Sequence, residues 1–279
     1  MPKSNSGQSL LVILLVMAVI LTIGLAVVSY SITDIKISQQ EEESARAFSA
    51  AEAGIEESLR VGAATGATVG EITANVTEVI QGGGEDFNFG ESKFPSGELA
   101  NVWLIDHTEE GALNPAVSFP YNGQIKICWG EETTLGSSTP ALELALVYQN
   151  VGGEYKVVRQ GYDPVNGRTV GFDESLDKDG GNCTSGLAFS KDISLAGGVF
   201  NLAASDKPYL LRLKLLYNSE LQPIAVQANS NLPEQGKCYE SSATVQVSGI
   251  TRKIRQCQFF QAPPEIFDYV LFSTSDLVK

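Results

Sequence analysis

Sulfur, one imidazole and a run of carboxylates are the groups in this 279-residue sequence whose spacing could support chemistry. Cys128, Cys183, Cys238 and Cys257 are the only cysteines, and no two are spaced as Cys-x-x-Cys. Zinc sites draw on such pairs or on histidines, and His107 is the lone histidine, so no zinc site is expected. An even set of cysteines in an exported chain predicts two disulfides instead. Three pairings are open. Shorter loops lose less entropy on closing, which favours Cys128 with Cys183 and Cys238 with Cys257. Against the second pair, a turn at Gly249-Ile250 would set Cys257 opposite residue 242, so the chain would have to fold back before Ala243.

His107 is also the one candidate general base. Asp106 and Glu109 are near it in sequence, but no Gly-x-Ser-x-Gly elbow supplies a nucleophile, and a single histidine at a strand end reads as a solvated loop residue. Gly82-Gly83-Gly84 lacks the lysine and the strand-to-helix setting of a phosphate loop. The sequence therefore predicts no enzyme. Asp173, Asp177 and Asp179, followed by Gly180, could form a calcium-binding turn. The late bidentate glutamate of an EF-hand is missing, and the alternative is a solvated acidic loop. Calcium is the one cofactor this pattern suggests. With 33 acidic against 19 basic residues the net charge is −14, which repels nucleic acid, so no nucleic-acid partner is expected. The short basic cluster Thr251-Arg252-Lys253-Ile254-Arg255 reads as a strand face.

The elements holding these residues are β-strands. Candidate strands are Asn101 to Asp106, Gln124 to Trp129, Ala141 to Gln149, Tyr155 to Gln160, Tyr209 to Tyr217, Pro223 to Gln227, Ala243 to Val247, Thr251 to Gln258 and Phe267 to Phe272. Leu211, Leu213 and Leu215 alternate with Arg212 and Lys214, as in a strand with one buried face. Such strands separated by glycine and asparagine predict an antiparallel sheet or sandwich.

Before them comes a different pattern. Between Lys3 and Asp34 no residue is charged, and Leu10 to Val28 is almost wholly aliphatic, enough to cross a hydrocarbon layer of about 30 Å as a helix. No proline follows until well past Leu59, so one helix is expected over 8–61, with its transmembrane half at 9–32. An ordinary signal peptide has a shorter apolar core; Ala26-Val27-Val28-Ser29 resembles a weak cleavage site, but cutting there would divide the helix. Lys3 on one side and Glu41-Glu42-Glu43 on the other place the amino terminus in the cytoplasm and the bulk of the chain outside. Phe48, Ala51, Ile55 and Leu59 form an apolar stripe expected to pack on the chain's own globular part. The fold class is α+β: a leader at 1–7, the long transmembrane and amphipathic helix, a connector at 62–99, and a β-rich head at 100–279.

Ser6-Gly7-Gln8-Ser9-Leu10-Leu11, the apolar helix, and then Ala45-Arg46-Ala47-Phe48-Ser49-Ala50-Ala51-Glu52-Ala53-Gly54-Ile55-Glu56 resemble the amino terminus of type IV pilins and pseudopilins. The segment is most similar to that of PilX-type minor pilins, and the similarity covers about the first sixty residues. It implies cleavage after Gly7 by prepilin peptidase on the cytoplasmic face, methylation of the new amino terminus at Gln8, and passage from the membrane into an extracellular pilus. The implied partners are other pilin subunits, the peptidase and the pilus assembly machinery, with cell adhesion as the wider role. Most pilins carry glutamate at the position of Val12, where it neutralises a neighbour's amino terminus, a use that offsets an otherwise expensive charge in lipid. Its absence implies a minor or tip-proximal subunit, with a divergent major subunit as the alternative. Glu52 interrupts the apolar stripe, either at a wetted edge or paired with a cation on a neighbouring subunit, while Ala50, Ala51, Ala53 and Gly54 permit close helix approach. A membrane-anchored adhesin that does not polymerise and a type II secretion pseudopilin are the alternatives.

Overall fold

Nothing between Ser6 and Val61 interrupts a helix: there is no proline, and Gly24 and Gly54 are isolated. In the computed structural model, which describes residues 6–89, 92–108, 111–131, 136–176, 183 and 186–264, this stretch is one 56-residue helix, α1 (Ser6–Val61). At about 1.5 Å per residue such a rod is roughly 84 Å long. It stops at Gly62, whose φ of +77° suits a left-handed cap and whose N–H donates to the Ser58 carbonyl at 2.8 Å.

The strands that follow are β1 (Thr68–Val69), β2 (Ile72–Gly82), β3 (Asp86–Asn88), β4 (Leu99–Trp103), β5 (Ile105–His107), β6 (Leu113–Ser118) and β7 (Gln124–Trp129). After them come β8 (Ala141–Gln149), β9 (Tyr155–Tyr162), β10 (Phe189–Ser194), β11 (Lys207–Leu216), β12 (Ile224–Ala228), β13 (Glu234–Thr244) and β14 (Thr251–Phe259). The segment 62–99, expected as a connector, thus contains β1, β2 and β3. Residues 72–77 of β2 alternate buried and exposed, the mark of a half-buried strand. The stretch expected as one strand over Asn101–Asp106 is broken at Leu104 into β4 and β5, while β6 and β10 were not expected at all. The expected strand Phe267–Phe272 lies outside the described residues.

The chain divides into two compact units. The first comprises residues up to Val79 together with Tyr239–Gln256; the second comprises Ile80–Cys238 and the chain from Cys257 on. In the first unit α1 packs on a sheet of order β1-β2-β13-β14. Ala47, Ala50 and Ala51 meet Ile72, Ala74, Ala243 and Val245, and Ile55 meets Val76 and Tyr239.

The second unit is a sandwich. One sheet has the order β10-β7-β12-β3 and the other β4-β11-β8-β9, with β5-β6 as a small separate pair. Ile125, Ile127 and Trp129 of the first sheet share one buried cluster with Leu142, Leu144, Leu146, Leu211, Leu213 and Leu215 of the second. Strand β11 differs from the expectation of a single buried face. It lies between β4 and β8, and its other face is covered too: Leu210 packs with Trp103, Ile105 and Tyr209, and Arg212 is buried.

Two disulfides join Cys128 to Cys183 and Cys238 to Cys257. The geometry of the second corrects the expected turn. The β13–β14 hairpin does not turn tightly at Gly249-Ile250; it closes through the six residues 245–250, with Val245 N–H donating to the Ile250 carbonyl at 2.9 Å and Gly249 N–H to the Val245 carbonyl at 2.8 Å. Gly249 has a φ of +74°, which a glycine adopts without strain. The longer loop moves the register by four residues. Thr244 and Thr251 face each other with hydroxyls 2.8 Å apart, and Cys238 faces Cys257, not residue 242, with Cα atoms 3.9 Å apart. The chain folds back after Thr244, so no reversal before Ala243 is needed.

Candidate functional site

Two consecutive parts of α1 have different surroundings. From Leu10 to Glu42 every residue is exposed, including Val12, and the apolar part of this stretch is long enough to cross a membrane. From Ala47 onward one stripe is covered by the first unit's own sheet: Ala47, Ala50, Ala51, Gly54, Ile55 and Ser58, at steps of three and four.

This stripe is not the one the apolar residues suggested. Phe48 is 46% exposed and Leu59 37%, whereas Ile55 and Ala51 are buried. Glu52 is exposed and lies off the packed face, so it does not interrupt the contact surface. The helix turns its small residues inward because close approach leaves no room for larger ones. A Cβ on Gly54 would lie 2.7 Å from Ser241 Oγ, 2.9 Å from Ala74 Cβ and 3.0 Å from Val76 Cγ2. Gly54→Val is therefore expected to destabilise the first unit by about 1–3 kcal/mol, read as a lower melting temperature of the detergent-solubilised protein. Gly24→Val, with nothing within 4 Å, is the matched control and should leave the melt unchanged.

Polar contacts fix the two ends of this surface. Arg252 of β14 donates from Nε and Nη2 to Ser44 Oγ at 2.8 and 2.6 Å. At the other end the Ser58 hydroxyl bonds Thr65, accepting from its N–H and donating to its carbonyl at 3.0 Å. Neither Ser44 nor Ser58 stood out in the sequence, although the spacing of small residues around Gly54 carried the signal. The basic cluster is occupied in the same way: besides Arg252, Arg255 reaches Glu240 at 3.4 Å. Gly7 and Gln8 lie within α1.

The acidic loop is described only in part. Asp173 accepts from the Ser175 N–H at 2.8 Å and from its hydroxyl at 2.9 Å, and lies 3.5 Å from Lys191 Nζ. These bonds, the Ser175 backbone bond foremost, hold its carboxyl below the usual carboxylate range. Asp177 and Asp179 lie outside the described residues. Among the described residues no three histidine, cysteine, aspartate or glutamate side chains are grouped to hold a metal ion.

His107 is not a solvated loop residue. It ends β5, half-buried, with its ring stacked on Phe260 at 4.0 Å and edge-on to Trp103 at 4.7 Å. Its Nδ1 is buried and has no hydrogen-bond partner among the described residues. Burial pushes its pKa down, and the nearby Asp106 charge opposes that shift only in part. The unfolded chain then binds the proton more readily than the folded one, so stability is full above about pH 6.5 and is lost as pH falls from there through the lowered folded value. Between about pH 7.5 and pH 5 the melting temperature of the wild type should fall by more than that of His107→Phe, in which the group cannot titrate. Equal slopes would remove His107 from the acid sensitivity.

No family model matches the chain, and no curated protein matches it.

Proposed function

We propose that the chain is a minor or tip-proximal type IV pilin-like subunit, cut after Gly7 by prepilin peptidase and assembled through α1 into an extracellular filament. The observation that carries this reading is the division of α1: an uninterrupted rod whose apolar first part is exposed, with no covering among the described residues, and whose last part is fastened to a folded sheet. A bare apolar surface in water is unfavourable at about 25 cal/mol per Å². In this reading lipid covers it first and sibling helices cover it later. Phe48, Leu59 and Glu52 remain on the outer side of the docked segment, available to such neighbours. Valine at position 12 suits a subunit with no neighbour ahead whose amino terminus it must neutralise.

Amino-terminal mass spectrometry on protein expressed with prepilin peptidase tests this. The mature chain should begin at Gln8, and Gly7→Glu should keep the leader and fail to enter filaments. A mature chain still starting at Met1, or starting near Ser29, would overturn the assignment.

A further inference from the structure

Strand β9 is an outer strand of its sheet, and it pairs with β8 from Tyr155 to Tyr162 without a register shift. The hairpin that joins the two strands fixes which way the backbone groups of β9 point. Asn150 N–H donates to the Glu154 carbonyl at 2.9 Å, so alternation turns the groups of Lys156 and Val158 toward β8 and those of Tyr155 and Val157 outward. Gly161 follows the same alternation, its carbonyl accepting from the Asp173 N–H at 2.8 Å on the outward side. Among the described residues no strand lies against β9 before that point.

Two side chains carry an apolar band to this edge. Val157 stands opposite Val147, which packs on Trp103, Ile105, Tyr209 and Leu210. Tyr155 meets the Tyr209 ring edge-on at 5.3 Å. The band stops at the open edge, where Tyr155 is 59% and Val157 39% exposed.

A second copy of β9 can pair with the first only antiparallel about a two-fold axis, and the residues of the strand leave one register. With Lys156 on the axis, two ammonium groups would stand directly opposite each other, which is unfavourable. With Val158 on it, Tyr155 would fall opposite Gly161, whose carbonyl Asp173 already occupies. With Tyr155 on it, the pairing would run into the hairpin turn, where Gly153 N–H donates to the Asn150 carbonyl at 2.9 Å. Val157 on the axis meets none of these obstacles. Tyr155 of each copy then lies opposite Arg159 of the other, a ring beside a guanidinium, and Lys156 lies opposite Val158.

We propose that two copies of this chain associate through β9, paired about Val157, so that their two four-stranded sheets become one continuous sheet. Asp173 at one end and the hairpin turn at the other limit the pairing. The association does not depend on how α1 is processed.

Variants of the full chain with one added cysteine, oxidised in detergent micelles and resolved on a non-reducing gel, test it. Facing residues of an antiparallel pair have Cα atoms about 4.5–5.5 Å apart, within reach of a disulfide. Val157→Cys should therefore link two chains by itself. Tyr155→Cys and Arg159→Cys should each link about tenfold less alone, yet link to one another when mixed. Val151→Cys, at the hairpin tip and more exposed still, is the control for chance encounters in a micelle. Equal linkage at positions 151 and 157, no linkage at 157, or a maximum at another position of β9 overturns the proposal. Val157→Pro removes an outward N–H and no bond to β8, so the chain should stay folded while linkage between Tyr155→Cys and Arg159→Cys falls about tenfold or more. Unchanged linkage in that background would overturn backbone pairing as the basis of the association.

Discussion

Gly236→Ala is expected to destabilise the protein by about 3–5 kcal/mol, because backbone strain and collision coincide at that position. Gly236 has a φ of +149°, and a Cβ there would stand 2.3 Å from the Gln258 carbonyl oxygen and 2.6 Å from Phe259 Cα. Both obstacles are backbone atoms of β14, so no rotamer change relieves them. The strands must part, at a point two residues from Cys238 and next to the Gln235 carboxamide that holds Trp103. A drop of roughly 6–20 °C in melting temperature follows for a chain of this size. Gly84→Ala, with open space and no unusual φ, is the control expected to melt as the wild type does. A Gly236→Ala melt equal to that control would mean the two strands separate without loss.

The second large effect concerns the disulfides, and the expected result is an order. Cys128–Cys183 spans 55 residues and Cys238–Cys257 spans 19. If each acts by restricting the unfolded chain, Cys128→Ala with Cys183→Ala should lose about 4 kcal/mol and Cys238→Ala with Cys257→Ala about 3 kcal/mol. Cys128 is fully buried against Leu187 and Ala225, so removing its sulfur also leaves unfilled space, which adds to the first loss. Urea titration of both double variants measures the difference. A larger loss for the 19-residue loop would count against the chain-entropy account.

Much of the architecture was legible because it depends on local pattern. A long stretch without proline reads as α1, and alternation of Leu211, Leu213 and Leu215 reads as β11. The strand β2 also alternates, through Ile72, Ala74 and Val76, but threonine, glycine and acidic residues around it hid a core-forming strand among turn-like residues. Short strands such as β3 and β5 carry too few residues for any period to show. Within the candidate site, the apolar residues of α1 pointed to Phe48 and Leu59, while the covered stripe runs through Ala47, Ala50, Gly54 and Ser58. Two overlapping stripes satisfy the same helical period.

By itself, then, the sequence determined an uncharged apolar helix continuous with a second helical half, a β-rich remainder, and four cysteines available for pairing. Those features follow from side-chain hydropathy and from neighbours a few residues apart. Tertiary structure alone decided which helical stripe is covered, because that depends on how closely the backbone at Gly54 approaches Ser241 and Ala74. Loop length already favoured pairing Cys238 with Cys257, but the tertiary structure alone set the register that puts them opposite each other, because register follows the closure of the 245–250 loop. It also buried Arg212, because a central strand has both faces available for covering and nothing in an alternating pattern says what the second will meet.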